Sequence, residues 1–315
     1  MKGQMPYDEA LGKAWESVRK KHNESLTRRR YTIQYNQDEL DNMSPDKINV
    51  WNKYVEMNDE KKILTDRINK ATLPYLIEGD KGTGKTLMVR TLAKELGWAL
   101  VEIRCGDSTK ERHLFGSPQL DSDGSYWNAG KLVVAFKGLK IYGKVIIFFD
   151  DMGNLPPEVQ LLLLSLFDKR KSIDVAGQVF NVEEEEKLML IATTTPPIYA
   201  GVNPITEPLR SRLIGESRPH PTLQMNKKTL DWSGIPIDIV QSPLLTVAST
   251  TYDLATKNHI TYVLSPRDIE QFIEVYNDTK NIIQCINQTI LIKYSDPTEK
   301  EQIRIRCKET FGVEL

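Results

Sequence analysis

The sequence predicts an α/β fold, a parallel sheet with helices on both faces, followed by a small C-terminal helical lid. Short apolar segments alternate with helical stretches from residue 73 onward, at 75–78, 99–104, 145–149 and 188–193. Polar or glycine-rich residues follow three of these segments directly, where ligands of parallel sheets sit. Beyond about residue 221 the strand pattern stops and helical periodicity resumes.

The first 70 residues are expected to form a helical N-terminal extension without chemistry of its own. Apolar spacing predicts an amphipathic helix over 8–22, a Ser-Pro pair at 44–45 predicts the start of a second helix, and 59–70 reads as a third. Residues 1–30 carry eight Lys and Arg against four Asp and Glu, a local excess of +4. A solvated helix face explains this excess more simply than contact with nucleic acid.

The most informative segment joins the first predicted strand to the helix at 87–96. It reads Gly79-x-x-x-x-Gly84-Lys85-Thr86, a pattern whose inward-facing backbone N–H groups cradle nucleotide phosphates. Glycine permits the backbone conformations that this loop needs, and the helix directs its positive end at the same anion. The expected phosphate-binding residues are Gly79, Asp80, Lys81, Gly82, Thr83, Gly84, Lys85, Thr86 and Leu87. These features predict that the chain binds ATP.

Hydrolysis of a bound triphosphate needs a metal ion, a group that orients water and positive charge for the transition state. Lys85 supplies charge for the β- and γ-phosphates, and the Thr86 hydroxyl can ligate Mg²⁺. Asp150 ends a strongly apolar strand where it can hold Mg²⁺, and Asp151 is placed to polarise the attacking water. Thr195 is either a site residue or a turn residue at a strand end.

Three arginines lie at informative positions. Arg210 and Arg212 follow the fourth predicted strand, from where either could reach out of the subunit. Arg267 belongs to Ser265-Pro266-Arg267-Asp268, which structure alone explains as a capped helix start. The lid helices are expected at 266–277, 279–291 and 297–310.

Two further segments, 117–130 and 172–182, read as β-hairpins inserted into the core. Each has a Gly-containing turn between short runs of residues typical of strands, and we expect both hairpins to project rather than pack.

Composition argues against several other classes of protein. A formal net charge of −1 gives no global attraction to nucleic acid or to an anionic membrane. The three cysteines and four histidines show no zinc-ligand spacing, and no stretch is apolar enough for a membrane span or a signal peptide. We expect a cytoplasmic protein divided into an extension (1–70), a nucleotide-binding core (71–222) and a helical lid (223–315).

The ordered motifs resemble those of AAA+ ATPases of the MoxR group over roughly residues 70–315. They comprise the glycine loop, the Asp150-Asp151 strand end, the two hairpins, and the short sequences Ala-Thr-Thr-Thr-Pro, Ser-Arg-Leu and Ser-Pro-Arg. The resemblance implies a five-stranded parallel sheet, with the hairpins as the helix-2 and pre-sensor-1 insertions. The C-terminal segment resembles those of the Q-type rubisco and nitric-oxide-reductase activating ATPases and of the cobaltochelatase small subunit.

The resemblance also implies roles for individual residues. Lys85 and Thr86 would belong to Walker A, Asp150 would be the Walker B metal ligand, and Thr195 would occupy sensor 1. Arg212 would be the arginine finger, with Arg210 as its competitor, and Arg267 would be sensor 2. A finger acts on ATP in the neighbouring subunit, so these roles imply a homo-oligomeric ring, expected to be a hexamer that acts as a chaperone.

Two departures from the family pattern bear on activity. The family usually has Glu where Asp151 stands and Asn where Thr195 stands, and a shorter side chain can hold water less well.

The leading hypothesis is an ATPase ring that remodels or activates a client protein, with a separate von Willebrand A-type partner. The alternatives are a nucleic-acid motor or loader that uses the basic N-terminus, and a nucleotide-gated scaffold with slow turnover.

Overall fold

The computed structural model describes residues 31–56, 59–122, 124–196, 204–218 and 223–315. The helix predicted over 8–22 and the basic segment 1–30 lie outside the described residues. The strands are β1 (Thr32–Gln34), β2 (Tyr75–Gly79), β3 (Ala99–Arg104), β4 (Gly116–Asp121), β5 (Gly124–Ala129), β6 (Lys144–Asp150), β7 (Ile173–Val175), β8 (Gln178–Phe180), β9 (Lys187–Thr194) and β10 (Ile214–Arg218).

The helices that accompany these strands fall into two groups. Those before and between the strands are α1 (Gln37–Asn42), α2 (Glu60–Lys70), α3 (Lys85–Glu95), α4 (Glu111–Phe115), α5 (Lys131–Tyr142), α6 (Pro157–Leu162), α7 (Leu164–Phe167) and α8 (Glu207–Arg210). Those after the last strand are α9 (Leu223–Thr229), α10 (Ser242–Thr256), α11 (Pro266–Thr279), α12 (Ile282–Cys285) and α13 (Pro297–Phe311).

Five strands form one parallel sheet in the order β10-β2-β9-β6-β3, which confirms the predicted α/β fold. The residues in the middle of β6 show that both faces of the sheet are covered. All five residues from Val145 to Phe149 are fully buried, and they alternate between two hydrophobic clusters. Phe149 packs in the cluster with α5, and Phe148 packs in the cluster with α2 and α3. A strand buried on both faces must be apolar throughout, as this one is.

The N-terminal segment crosses the free edge of β3. The backbone N–H of Leu100 donates to the carbonyl of Met43 at 2.9 Å, and Ile48 is buried in the cluster on the other face of the sheet. The helix that was predicted to begin at Ser44 is only a 3₁₀ turn, Pro45–Lys47. The chain becomes extended at Ile48 to pass from one layer to the next.

The two predicted hairpins behave differently. In the first, β4 and β5 pair antiparallel and β1 adds to β5 in parallel, and Leu120 near the turn is 80% exposed. In the second, β7 and β8 pair antiparallel, but Ile173 and Val175 are buried in the sheet's core cluster. The expectation that both hairpins project was wrong for the second, whose inner face packs on the body of the protein.

The C-terminal helices form a layer with a hydrophobic cluster of its own, from Leu230 to Phe311. Helices α11 and α13 begin at the predicted prolines, Pro266 and Pro297. The second predicted lid helix, 279–291, is a run of α12 and a π-helical segment that ends in a 3₁₀ turn. Among the described residues, no helix has both the length and the apolar character needed to cross a membrane.

Lys171 joins two parts of the sheet layer from within. Its side chain is only 7% exposed, and its ammonium donates hydrogen bonds to the carbonyls of Ala71, at the end of α2, and Leu188, in β9. Burial lowers the pKa of Lys171 to about 8. The buried lysine thus links the end of α2 to β9 through two hydrogen bonds.

Candidate functional site

The glycine loop lies between β2 and α3, at the carboxyl end of the sheet. Gly82 and Gly84 have φ angles of +76° and +77°, in the left-handed region that favours glycine. Gly79 is needed for a different reason from the one the sequence suggested. Its φ is not positive, but a Cβ there would lie 2.9 Å from the Cβ of Arg218 in β10. Its small size lets the neighbouring strand approach.

Lys85 is the first residue of α3 and is 7% exposed. Its ammonium donates to the carbonyls of Gly79 and Asp80, at 2.7 and 2.8 Å, and the Thr83 hydroxyl donates to the same Asp80 carbonyl. Burial lowers the pKa of Lys85, while the nearby charges of Asp151 and Asp150 act in the opposite direction. The ammonium is thus held beside the loop, close to both carboxylates.

Asp150 and Asp151 end β6 opposite the start of α3. The Thr86 hydroxyl lies 3.0 Å from both carboxylate oxygens of Asp150. Asp151 has a left-handed φ of 56°, which turns it out of the strand direction, and its carboxylate accepts a long contact of 3.5 Å from the Thr195 hydroxyl. Burial, together with the charge of Asp150, raises the pKa of Asp151.

Thr193 connects the two acids, and sequence reasoning did not single it out. Its fully buried hydroxyl donates to Asp150 at 2.8 Å and accepts from the backbone N–H of Asp151 at 2.9 Å. The sequence placed 193–195 at the sheet edge, but Thr195 was chosen on family position. Pairing of β6 with β9 could have indicated Thr193, because successive strand residues point to opposite faces.

Two cavities meet at the glycine loop. The larger, of about 410 Å³, brings together most of the predicted site residues: Lys81, Gly82, Thr83, Gly84, Lys85, Thr86, Leu87, Asp150, Asp151, Thr195 and Arg267. The smaller, of about 220 Å³, is lined by residues that include Tyr54, Val55, Leu87 and Leu230, with Glu216 and Arg218 of β10. A charged compartment beside a more apolar one suits a nucleotide, whose phosphates and base differ in the same way.

The first turn of α11 closes the larger cavity. Ser265 and Asp268 form the predicted capping box, and Lys293 pairs with Asp268 at 3.1 Å. The turn sits directly on the glycine loop, since a Cβ on Gly82 would lie 3.0 Å from Pro266. Arg267 is exposed at this point and lines the cavity. The lid layer and the sheet layer therefore both contribute to the site.

The segment before α2 also contributes, although it was expected to carry no chemistry. The ring of Tyr54 lies 3.3 Å from where a Cβ on Gly84 would stand. Its hydroxyl donates to Glu60 at 2.8 Å and accepts from the Arg218 guanidinium at 3.1 Å. No local pattern marks this residue in the sequence, because its place depends on where the extended segment after Ile48 runs.

The other two arginines lie outside both cavities. Arg212 pairs with Asp168 at 2.6 Å and also donates to the carbonyl of Pro208. Arg210 pairs with Glu78 of β2 at 3.2 Å, and its side chain is 55% exposed. Each is held in an ion pair, and neither lines the cavity that contains the acids of β6.

A metal ion fits one part of this arrangement. Mg²⁺ prefers hard oxygen ligands and is commonly held by one or two carboxylates together with substrate phosphates. The Thr86 hydroxyl and the Asp150 carboxylate converge on one point at the loop. These two residues could hold Mg²⁺, and Lys85 could pair with the phosphates.

This region of the chain is similar to known proteins. Residues 74–213 match the family model of the AAA domain, dynein-related subfamily. The chain is 24% identical to the denitrification regulatory protein NirQ of Pseudomonas aeruginosa and 25% identical to protein NorQ of Paracoccus denitrificans, each over 161 residues. These alignments cover 50% and 51% of this chain, and 59% and 57% of those relatives.

A third relative is much longer. Midasin of Giardia intestinalis is 30% identical over 123 residues, which are 39% of this chain and 2% of midasin. A solved structure titled as a putative ATPase from Cytophaga hutchinsonii aligns at 16% identity and a TM-score of 0.39. The alignment covers 88% of this chain and 79% of that one. The matched segment spans the glycine loop, both acids and the two surface arginines, so residues 74–213 form an AAA domain, and the similarity to NirQ and NorQ is that of a MoxR-like AAA+ ATPase.

Proposed function

We propose that this protein binds ATP with Mg²⁺, hydrolyses it, and uses the cycle to remodel or activate a client protein. One observation carries the proposal: Lys85, Thr86, Asp150 and Asp151 converge on one cavity beside a glycine loop with left-handed glycines. Catalysis of phosphoryl transfer is largely positioning and charge stabilisation, and these residues supply both.

The geometry suggests a role for each group. Mg²⁺, when bound, neutralises charge on the phosphates, and Thr86 with Asp150 would hold it. Asp151, whose backbone Thr193 fixes, is the residue that we assign to orient the attacking water. Thr195 contacts Asp151 and lines the same cavity, so it can position that carboxylate. Arg267 carries positive charge from the lid to the phosphates.

A ring would complete the site. Arg212 and Arg210 lie outside the cavity of their own subunit, so either can stabilise a transition state only in a neighbouring copy. We assign the finger to Arg212 on the basis of the family resemblance, since both arginines make an ion pair within the chain, Arg212 with Asp168 and Arg210 with Glu78. A hexamer is the proposed working state, and Asp168 would release Arg212 when the neighbour's nucleotide arrives.

The proposed client is another protein whose activity this protein controls. NirQ is described as a denitrification regulatory protein, and that description supports a role in the control of another protein. A von Willebrand A-type partner supplied by a second chain is part of the proposal on the basis of family resemblance. A scaffold with slow turnover is the outcome expected if Asp151 positions water poorly.

The test compares ATPase activity with protein concentration for the wild type, Lys85→Ala and Arg212→Ala, with mass measured by light scattering. The specific activity of the wild type should rise steeply with concentration as the ring forms. Lys85→Ala should lose ATP binding, since the buried ammonium that pairs with the phosphates is gone. Arg212→Ala should bind ATP but lose roughly a thousandfold in kcat, the scale of an arginine finger.

Arg210→Ala is the matched control, since it removes an arginine two residues away. It should keep most of the activity of the wild type. If ATP binds tightly while activity stays negligible at every concentration, the protein is a nucleotide-gated scaffold. If Arg210→Ala is the inactive variant and Arg212→Ala is active, the finger has been assigned to the wrong arginine.

A further inference from the structure

Glu270 stands where the two cavities meet. It follows Arg267 by one turn of α11, and it lines both the charged cavity and the smaller, more apolar one. In a nucleotide the ribose joins the phosphates to the base. A side chain that borders both compartments is therefore placed against the ribose.

The two other polar side chains that line both cavities each make one hydrogen bond within the chain. The Thr83 hydroxyl donates to the Asp80 carbonyl within the loop, and the Asn52 side-chain oxygen accepts from the N–H of Lys53. Within the part of the chain that the structure describes, the Glu270 carboxylate has no hydrogen-bond or salt-bridge partner, although the charge of Arg267 lies near it. Glu270 is exposed to solvent at this junction, and its partial desolvation raises its pKa while the charge of Arg267 acts in the opposite direction.

We propose that Glu270 binds the ribose of the nucleotide, with its carboxylate accepting hydrogen bonds from the 2′- and 3′-hydroxyl groups. The chemistry selects this part of the nucleotide. Phosphates would be repelled by a carboxylate, and the more apolar compartment lined by Tyr54 and Leu230 is the one that suits the base. Two neighbouring hydroxyl groups are donors that a carboxylate, an acceptor with two oxygens, can satisfy together.

The assignment of Glu270 to the ribose also links the nucleotide to the lid. The residue belongs to the lid helix, so a ribose held by it links the nucleotide to the lid at a point separate from Arg267. It deepens the proposed function, on which it rests, by naming the ribonucleotide as the preferred ligand over the 2′-deoxy form. The wild type should discriminate between the two through one side chain.

The experiment measures binding of ADP, 2′-deoxy-ADP and 3′-deoxy-ADP by calorimetry with Mg²⁺ present, so that turnover does not interfere. The wild type should bind ADP roughly tenfold more tightly than either deoxy form, the scale of a charge-assisted hydrogen bond. Glu270→Ala should weaken ADP binding by about the same factor and bind all three ligands almost equally. Glu270→Gln should retain part of the preference, since its amide oxygen still accepts.

Glu274→Ala is the matched control, because Glu274 is an exposed glutamate one turn farther along α11 and lines neither cavity. It should keep the wild-type preference. Equal affinity of the wild type for the three ligands, or an unchanged preference in Glu270→Ala, would overturn the ribose assignment. A wild type that binds none of them would instead contradict the proposed function itself.

Discussion

Thr193 shows how a single hydroxyl can organise two carboxylates. It donates to the side chain of Asp150 and accepts from the backbone of Asp151, so it sets the position of one acid and the turn of the other. Asp151 adopts a left-handed φ that non-glycine residues rarely take. Such a conformation persists when its surroundings hold it, and the bond to Thr193 is one of those restraints.

Thr193→Val should therefore reduce kcat by roughly tenfold, because the turn at Asp151 loses its anchor and the carboxylate moves off its position. The free energy of unfolding should fall by about 1–2 kcal/mol, since the Asp151 N–H is left without a partner. Steady-state kinetics and urea unfolding give the two values.

Thr193→Ser, which keeps the hydroxyl, should retain most of the activity. Thr194→Val changes the next residue, which is also buried but contacts neither acid, and it should leave kcat within about twofold of the wild type. An unchanged kcat in Thr193→Val would mean that Asp151 holds its position without this bond.

At the scale of elements, the two inserted hairpins illustrate how similar sequence patterns serve different purposes. The first extends outward with β1 along its side, and it exposes Leu120. The second turns one face inward, so Ile173 and Val175 join the core, and Phe180 contacts the ring of Phe136 in α5. The first hairpin presents a surface, whereas the second is part of the packing.

Alanine substitutions should separate the two hairpins. Ile173→Ala should lower the free energy of unfolding by about 2–4 kcal/mol, because it removes buried methyl groups and leaves a cavity. Leu120→Ala should change it by less than about 0.5 kcal/mol, since the side chain is already in solvent. Chemical denaturation of the two variants beside the wild type checks both values. Equal losses would show that the hairpins pack alike.

At the scale of the whole molecule, the site is shared between two layers with separate cores. The sheet layer supplies the glycine loop and the acids, and the lid supplies the first turn of α11. Contact between the layers at the site includes the approach of Pro266 to Gly82. A nucleotide in the cavities adds contacts to both layers at once, and a ligand that binds only the folded protein stabilises it.

ADP with Mg²⁺ at a hundred times its dissociation constant should therefore stabilise the protein by about 2.7 kcal/mol. The unfolding midpoint should rise with ADP concentration in the wild type, as measured by thermal or urea denaturation. Lys85→Ala should show little or no rise at the same ADP concentrations. A midpoint that is independent of ADP in the wild type, despite measured binding, would mean that the unfolded chain binds equally well.

The sequence alone determined the parallel sheet, the phosphate loop and the acids of β6, because short-range patterns encode them. A strand buried on both faces must be apolar, and a glycine loop followed by Lys85 and Thr86 has few other uses. Predicting these features requires only the residues next to each other in the sequence and the rule that ligands sit beyond the carboxyl ends of strands.

Only the tertiary structure decided the roles of Thr193, Tyr54, Gly79 and Glu270. Each depends on a partner far away in the chain: Asp150 for Thr193, Arg218 for Tyr54 and Gly79, and the glycine loop for Glu270. The same holds for the second hairpin, whose packing on α5 no local pattern could show. Contacts between distant segments depend on how strands pair and layers stack, and a hydrophobic pattern does not contain that information.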